Sequence, residues 1–296
     1  MLGDLMRGNK GQDGAQKPKA FLRWIGGKRL LIHRLLDFLP ADIRERTYHE
    51  PFVGAASLFF AVTPKKAVLS DLNRHLIESY RHVRDSPSLV AGYLREHLER
   101  DSKKHYYNVR EIYNRSIFSS AQAARFIYLN HTCFNGIFRV NVKGAFNVPY
   151  GDKSNPQIPD TSKLVAISKA LKKASLRVSA YEESLATVNA DEFVYLDPPY
   201  PPLNGTSFFT HYTPDRFSAK DQRSLADCIW ELHGRGALFL MTNADLPEIR
   251  KLYRGFSIRE LRVTRYVSCK GARYKVGELV VCNFQINGSL HRLGKL

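Results

Sequence analysis

The 296-residue sequence has few cysteines and too little acid to balance its bases. Its four cysteines, Cys133, Cys228, Cys269 and Cys282, form no C-x-x-C pair and no spacing typical of zinc ligands. That excludes a disulfide scaffold and leaves no metal expected. No apolar run approaches the ~20 residues that span a bilayer, and the start has no apolar signal-peptide core. The expectation is a soluble, cytoplasmic chain with reduced thiols and no membrane partner. A full G-x-G-x-x-G fingerprint is also missing, so nothing is built to cradle a pyrophosphate. At 44% hydrophobic and 25% charged residues the composition is that of a packed globular protein, which excludes disorder and fibrous repeats.

The shortage of acid is local. Against 45 Lys and Arg stand 28 Asp and Glu, a net charge of +17. Residues 161–249 carry 9 basic and 11 acidic groups, whereas residues 250–296 carry 11 and 2. A field concentrated at the termini points to a polyanionic partner, with nucleic acid ahead of an anionic membrane. A basic coat kept for solubility is the bland alternative.

Along the chain, residues 1–17 read as a flexible leader with little to bury. The segment KAFLRWIGGKRLLIHRLLDFLP predicts a Gly26-Gly27 turn and a helix with Leu30, Leu31, Leu35, Leu36 and Leu39 at helical spacing, closed by Pro40. YHEPFVGAASLFFAV reads as a strand, a small-residue turn and a helix, and KAVLSDLN as a strand ending in a carboxylate. This is the opening of a doubly wound nucleotide-type fold, whose ligands sit beyond the carboxyl ends of the strands. Residues 75–160, helical and then rich in Asn and Gly, read as an inserted module. Helix and strand then alternate again through EFVYLDPPY, a helix near 218–233, GALFLMTN and RYKVGELVVCNF.

Two motifs carry chemistry. Asp197-Pro198-Pro199-Tyr200 follows the apolar strand Phe193–Leu196. The prolines stiffen the turn and leave the Pro198 carbonyl free. Such a turn suits an exocyclic amine: Asp197 accepts one N–H, the Pro198 carbonyl the other, and Tyr200 stacks on the ring. A bare turn is the alternative reading. In Glu50-Pro51-Phe52-Val53-Gly54-Ala55-Ala56, small residues let backbone approach a ligand, and Asp71 at the next strand end is placed for ribose hydroxyls. A nucleoside cofactor without a pyrophosphate fits this turn, and tight packing alone explains its small residues equally.

These residues, with Phe21–Lys28, Asp71-Leu72-Asn73, Phe134–Asn141 and Phe146–Gly151, resemble the Dam-type (D12 class, alpha group) DNA adenine-N6 methyltransferases, which include the GATC-methylating enzymes of restriction systems. The likeness runs from about Lys19 to Asn287, with the motifs in the family's order. It implies an α/β fold: a Rossmann-like S-adenosylmethionine-dependent methyltransferase sheet with an inserted, mainly helical target-recognition domain. The catalytic domain would be discontinuous, 18–74 and 161–296, with residues 75–160 as the recognition domain.

The resemblance further implies that S-adenosyl-L-methionine, leaving as S-adenosyl-L-homocysteine, is held by Trp24, Lys28, Asp71 and Asp197, in a pocket shaped by Glu50, Pro51, Phe52 and Gly54. Asp197, Pro198 and Tyr200 would act on a flipped-out adenine in double-stranded DNA. Phe134 would wedge into the duplex, with Asn135 and Ile137 beside it. Arg139 and Arg23 would read the sequence, for which GATC is the expectation. The basic, aromatic-laced stretch 265–275 is read as a phosphate-tracking loop through Lys270 and Arg273, an edge hairpin being its alternative. Phe208, Phe209 and Tyr212 are candidate pocket walls. The chain would act as a monomer, any cognate restriction endonuclease acting separately.

Two positions depart from the family pattern: Ala56 where a further glycine is usual, and Asp152 where relatives often place a basic residue. An amine methyltransferase acting on RNA, or a DNA-binding relative that has lost catalysis, are the alternatives. A protein-glutamine methyltransferase is disfavoured by Asp197, where its relatives carry Asn.

Overall fold

The computed structural model describes residues 18–153, 155–201, 217–261 and 277–286. The leader 1–17, the aromatics Phe208, Phe209 and Tyr212, and the basic segment 265–275 with Lys270 and Arg273 lie outside the described residues. Seven strands form one sheet: β1 (Thr47–Glu50), β2 (Lys66–Asp71), β3 (Ala174–Val178), β4 (Phe193–Leu196), β5 (Leu238–Ala244), β6 (Ser257–Leu261) and β7 (Glu278–Cys282). Their order is β3-β2-β1-β4-β5-β7-β6. The first five pair in parallel, and β7 runs antiparallel between β5 and β6.

The strands predicted from VYL, KAV, LFLM and ELVVC are all present. β4 is buried on both faces throughout, as a continuous apolar run in a parallel sheet requires. β1 and β4 are neighbours although the chain leaves β1 for β2, so the order reverses between them. Ligands of doubly wound sheets bind at such a reversal, outside the carboxyl ends of the strands. Glu50 ends β1, Asp71 ends β2 and Asp197 follows β4.

The helix expected after the Gly26-Gly27 turn is shorter than its leucine spacing suggests. Only α1 (Ile32–Leu36) is helical, preceded by a turn in which Leu31 N donates to the Lys28 carbonyl at 2.7 Å. Leu31, Leu35 and Leu39 are buried, whereas Leu30 is 91% exposed. The turn that carries Lys28 inward rotates Leu30 out of the apolar row.

Beyond β1, α2 (Ser57–Val62) packs its Leu58, Phe59, Phe60 and Val62 inward. Its N-cap is Ala56 in the left-handed region at φ 53°, fully buried in the main core. The methyl group that distinguishes this position from glycine therefore sits in apolar packing.

Between β2 and β3 lie α3 (Arg74–Asp85), α4 (Pro87–Glu99), α5 (Lys103–Arg115), α6 (Ser120–Thr132) and α7 (Thr161–Leu171). Asn73 caps α3, Ser102 caps α5, Ser119 caps α6 and Asp160 caps α7, each side chain accepting from a first-turn N–H. α6 is buried along nearly its whole length and packs against α3, α4 and α5. One hydrophobic cluster runs from Tyr48 and Leu69 in the sheet through Leu76 and Tyr80 to Tyr106 and Phe126. The helical segment is thus welded to the sheet through α3. On the other side, α8 (Tyr181–Ala186), α9 (Ala219–Gly234) and α10 (Pro247–Leu252) pack against β4, β5 and β7 in a second cluster. Ser218 and Asp221 form a capping box at the start of α9.

After α6 the chain makes a tight turn at Phe134–Gly136, then a short hairpin. Val140 bridges Phe146, Asn141 N donates to the Ala145 carbonyl at 2.9 Å, and Asn147 N donates to the Arg139 carbonyl at 3.1 Å. The Asn141 side chain closes the tip by accepting from Lys143 N and Ala145 N. The returning strap crosses the end of α6: Phe134 N donates to the Pro149 carbonyl, and Gly151 N donates to the Thr132 carbonyl at 2.8 Å.

A Cβ on Gly151 would lie 2.6 Å from the Cys133 carbonyl oxygen and 2.9 Å from that of Thr132, both backbone atoms that cannot swing away. Gly151→Ala should therefore destabilise the fold by about 1–3 kcal/mol, the usual cost of overpacking, measured by urea unfolding. Unchanged stability would contradict the close approach.

Candidate functional site

A buried cation stands at the carboxyl ends of β1 and β4. The Lys28 ammonium lies 2.6 Å from Asp197 Oδ1 and 3.6 Å from Glu278 Oε1, and donates to the Gly26 carbonyl at 3.1 Å. The Lys28 side chain is 5% exposed and that of Glu278 0%. Tyr200 donates its hydroxyl to Glu278 Oε1 at 3.1 Å, and the ammonium sits 4.6 Å from the centroid of its ring. Thr242 on β5 donates to Asp197 Oδ1 at 2.9 Å. Asn243, the next residue on β5, donates to Gln222 of α9, which in turn donates to the Pro199 carbonyl at 3.0 Å. The Asp197–Tyr200 turn is thus clamped from β5, α9 and β7. Among the described residues neither Asp197 Oδ2 nor the Pro198 carbonyl accepts a hydrogen bond. Both acceptors remain available.

The neighbouring acids are less solvated. Glu50 is buried, its Oε2 accepting from the Tyr48 hydroxyl at 2.7 Å. Burial, reinforced by the negative charge of Asp197, raises its pKa to about 8. Asp71 accepts from Gly54 N at 3.1 Å through one oxygen and from Asn73 N at 2.9 Å through the other. Burial raises its pKa to about 6 despite those bonds. The Gly54 turn sits at φ 43°, and a Cβ there would come within 2.9 Å of the Trp24 ring. The Trp24 indole therefore lies directly over the turn. Phe52 stacks on Tyr181 at 5.3 Å between centroids, with Phe217 edge-on. Four carboxyl groups, one ammonium and aromatic faces meet at the strand ends, a donor and acceptor set suited to a polar nucleoside-like ligand bearing positive charge.

A second group of candidates is assembled beside the first. Trp24 stacks on Phe138 at 6.0 Å and 17° and touches Phe126 of α6. One residue earlier, Arg23 N donates to Asn130 Oδ1 at 2.8 Å, and Asn130 Nδ2 donates back to the Arg23 carbonyl at 2.7 Å and to the Gly136 carbonyl at 3.3 Å. Arg23, Phe134, Asn135 and Arg139 are all exposed, Phe134 at 52%. Asn135 takes a left-handed φ of 54°, which turns the chain sharply behind Phe134. Ile137 is half-buried against the core. Arg139 Nε donates to Asn147 Oδ1 at 2.8 Å, holding the guanidinium along the hairpin. Asp152 is exposed, and the adjacent Lys153 donates to the His131 carbonyl at 2.6 Å.

The profile of the D12 class N6 adenine-specific DNA methyltransferases matches residues 24–267. The chain belongs to this family. It is 36% identical over 273 residues to the type II methyltransferase M1.LlaDCHI of Lactococcus lactis subsp. cremoris, covering 90% of this chain and 95% of that one. It is 38% identical over 286 residues to the type II methyltransferase M.MjaIII of Methanocaldococcus jannaschii, covering 90% and 99%. The DNA adenine methylase of Escherichia coli is 33% identical over 268 residues, covering 90% and 95%.

In this D12 methyltransferase the residues expected to hold cofactor and base, Trp24, Lys28, Glu50, Pro51, Phe52, Gly54, Asp71 and Asp197–Tyr200, converge on one edge of the sheet. Lys270 and Arg273 are outside the described residues. The sequence reading missed Glu278, Thr242, Gln222 and Asn130. Glu278 left one trace, an acid heading the apolar run Leu279–Cys282, as Asp71 and Asp197 end theirs. Asn130 left none, since its role exists only where α6 meets Arg23.

The raised acids set a pH dependence. Between the usual 4.5 and about 8, folded Glu50 keeps a proton that the unfolded chain has lost, so stability falls as pH rises through that window. Asp71 acts in the same sense only up to about 6. His97 and His131, lowered to about 4 by burial, act in the opposite sense and only below 6.5. His49, His75 and His105 are lowered as well, and their unfolded forms still hold some proton at pH 7, so the Glu50 contribution, at no more than about 1.4 kcal/mol per pH unit, is read by difference. Urea unfolding from pH 7 to 8 should show the wild type losing stability relative to Glu50→Gln.

Proposed function

We propose that this enzyme transfers a methyl group from S-adenosyl-L-methionine to N6 of an adenine flipped out of double-stranded DNA. The observation that carries this reading is the Asp197–Tyr200 turn, which offers two open oxygen acceptors beside an aromatic face at the sheet's reversal point. The N6 lone pair is delocalised into the purine ring. Hydrogen bonds from its two protons to Asp197 Oδ2 and the Pro198 carbonyl favour the tetrahedral nitrogen needed for attack. Tyr200 stacks on the base. Lys28, which faces that ring, shifts toward Glu278 as the base enters. The amine proton lost after transfer passes to solvent, with no covalent enzyme intermediate.

The methyl donor is a sulfonium, and the residues around the Gly54 turn fit it. Asp71 keeps lone pairs for ribose hydroxyls, Trp24 and Phe52 supply apolar walls, and the Asp197 carboxylate, beside a Glu50 whose proton a bound cation would displace, favours a cation. S-adenosyl-L-homocysteine, lacking the charge, leaves more readily. Extruding the base costs roughly a few kcal/mol. Phe134, half-exposed on a rigid turn, fills the gap, with Asn135 and Ile137 beside it, while Arg139 and Arg23 read base edges. The same reading assigns GATC as target, a monomer acting in the cytoplasm, Lys270 and Arg273 as phosphate contacts, and any cognate restriction endonuclease as a separate protein.

Asp197→Ala should lower methylation of a GATC duplex by roughly 10²–10³-fold or more while DNA retention on gels changes little. Near-normal turnover would remove Asp197 from the mechanism. Arg139→Ala should cut discrimination against near-cognate sites by about 1–3 kcal/mol, read by sequencing methylated adenines in DNA from expressing cells. An unchanged site preference would reject Arg139 as a reader.

A further inference from the structure

The opposite end of the sheet carries a second polar site. Parallel sheets are normally covered on both faces and apolar on both. Here Tyr48, Ala67, Leu69, Ala174 and Leu176 face the main core, while the alternate residues of β1, β2 and β3 face outward and, Val68 and the strand ends apart, are polar. The short α8 reaches this outward face only at the carboxyl end, where Ser184 bonds Ser70. The amino end is left as an open groove of about 460 Å³, within the range of small-molecule sites.

Four cations line this groove. Lys66 opens β2, Lys172 and Lys173 lie in the turn from α7 to β3, and Arg177 is on β3; all four are exposed. Among the described residues none of them has a carboxylate within 4.0 Å. The Arg177 guanidinium instead faces the hydroxyls of Ser175 and Thr187, at 3.4 and 3.5 Å, the long and partial bonds of a group that retains donors. The groove's one acid, Glu192, is already occupied by His49 Nε2 and Asn189 N, both at 2.9 Å. The His49 side chain, 6% exposed, keeps Nδ1 without a partner. A concave floor with four cations against one acid, its oxygen already held by hydrogen bonds, selects an anion with several charged oxygens. Lys66 lies about 16 Å from Asp71 along β2 at ~3.3 Å per residue. The Arg177 backbone pairs with Ser70, one residue short of Asp71, but its guanidinium turns back toward Ser175 and Thr187, so an occupant held at the amino end leaves the Asp197 site open.

We propose that this groove binds a phosphate-bearing anion, either a free nucleotide or the backbone of a second nucleic acid bound away from the methylation site. Lys173 and Arg177 form the centre of the contact, and Lys66 and Lys172 its rim. A polyphosphate chain can meet all four at once, whereas a single chloride or carboxylate cannot.

The test uses the full-length protein saturated with a short GATC duplex, titrated calorimetrically at low salt with inorganic tripolyphosphate, then ATP, then a second duplex lacking GATC. Two double variants are compared, Lys173→Ala with Arg177→Ala and, as a rim pair spared any strand-interior change, Lys66→Ala with Lys172→Ala. Tripolyphosphate affinity should fall at least tenfold in both while methylation of the GATC duplex stays at wild-type level. Loss of ATP binding in parallel identifies a free nucleotide as the source, and loss of the second duplex identifies a nucleic-acid backbone. Tripolyphosphate binding that persists at wild-type strength in both variants, or no binding to the wild type beyond its basic termini, overturns the proposal.

Discussion

Burying the Lys28 ammonium against Asp197 and Glu278 requires three distant parts of the chain to end at one point: the turn before α1, the exit of β4 and the start of β7. Two carboxylates that converge on one point repel each other unless a cation stands between them. The lysine supplies that cation, and Tyr200 and Thr242 take up further lone pairs, so each acid is satisfied while one Asp197 oxygen stays open. The shortened α1 and the exposed Leu30 follow from the same demand, because the turn that sends Lys28 inward leaves no room for another helical turn ahead of Ile32.

Trp24 makes the ligand turn and the reading segment mechanically one unit. Its indole covers Gly54 on one side and stacks on Phe138 on the other, and its neighbour Arg23 is held at both backbone groups by Asn130. Asn130 belongs to α6, which is buried along nearly its whole length. A buried helix cannot shift without repacking its surroundings. The Arg23 backbone, fixed through such a helix, therefore keeps a constant distance from the Gly54 turn. That rigidity suits chemistry in which positioning, more than any acid or base, lowers the barrier.

The Asp197–Tyr200 turn, the proposed catalytic element, stood out in the sequence because its signal is local: four apolar residues, an acid, two prolines and an aromatic need no distant partner to be read. The β2 acid was legible for the same reason, closing an apolar strand, whereas Glu50 closes the mixed strand Thr47-Tyr48-His49 and stood out only through the family motif that follows it. Partners separated by most of the chain were not. Nothing near Lys28 announces Asp197, and Glu278 reads as an ordinary strand start until β7 inserts between β5 and β6. β6 escaped notice because it is an edge strand whose Ser257, Arg259 and Glu260 dilute its apolar pattern. The helical segment after β2 reads as a separate module from its polar texture, whereas its α3 shares one apolar cluster with the sheet.

The net charge of +17 acquires a division of labour from this geometry. At the strand ends one ammonium faces more than one carboxylate even with Glu50 protonated at neutral pH, so the reacting centre does not itself attract incoming phosphates. Long-range attraction of a polyanion must then arise elsewhere, from charges whose exact placement matters little. Arg23 and Arg139, the proposed base readers, differ from those charges in that Asn130 fixes the Arg23 backbone and Asn147 the Arg139 guanidinium, as reading a base edge requires and a phosphate contact does not. The cations of the β1–β3 groove fall in neither class. They line a groove rather than a convex surface, with Lys66, Lys172 and Lys173 at the end of the sheet opposite the proposed catalytic turn and Arg177 turned toward that end from β3. Attraction of the duplex being methylated gives no reason for that placement, whereas a second phosphate-bearing ligand does.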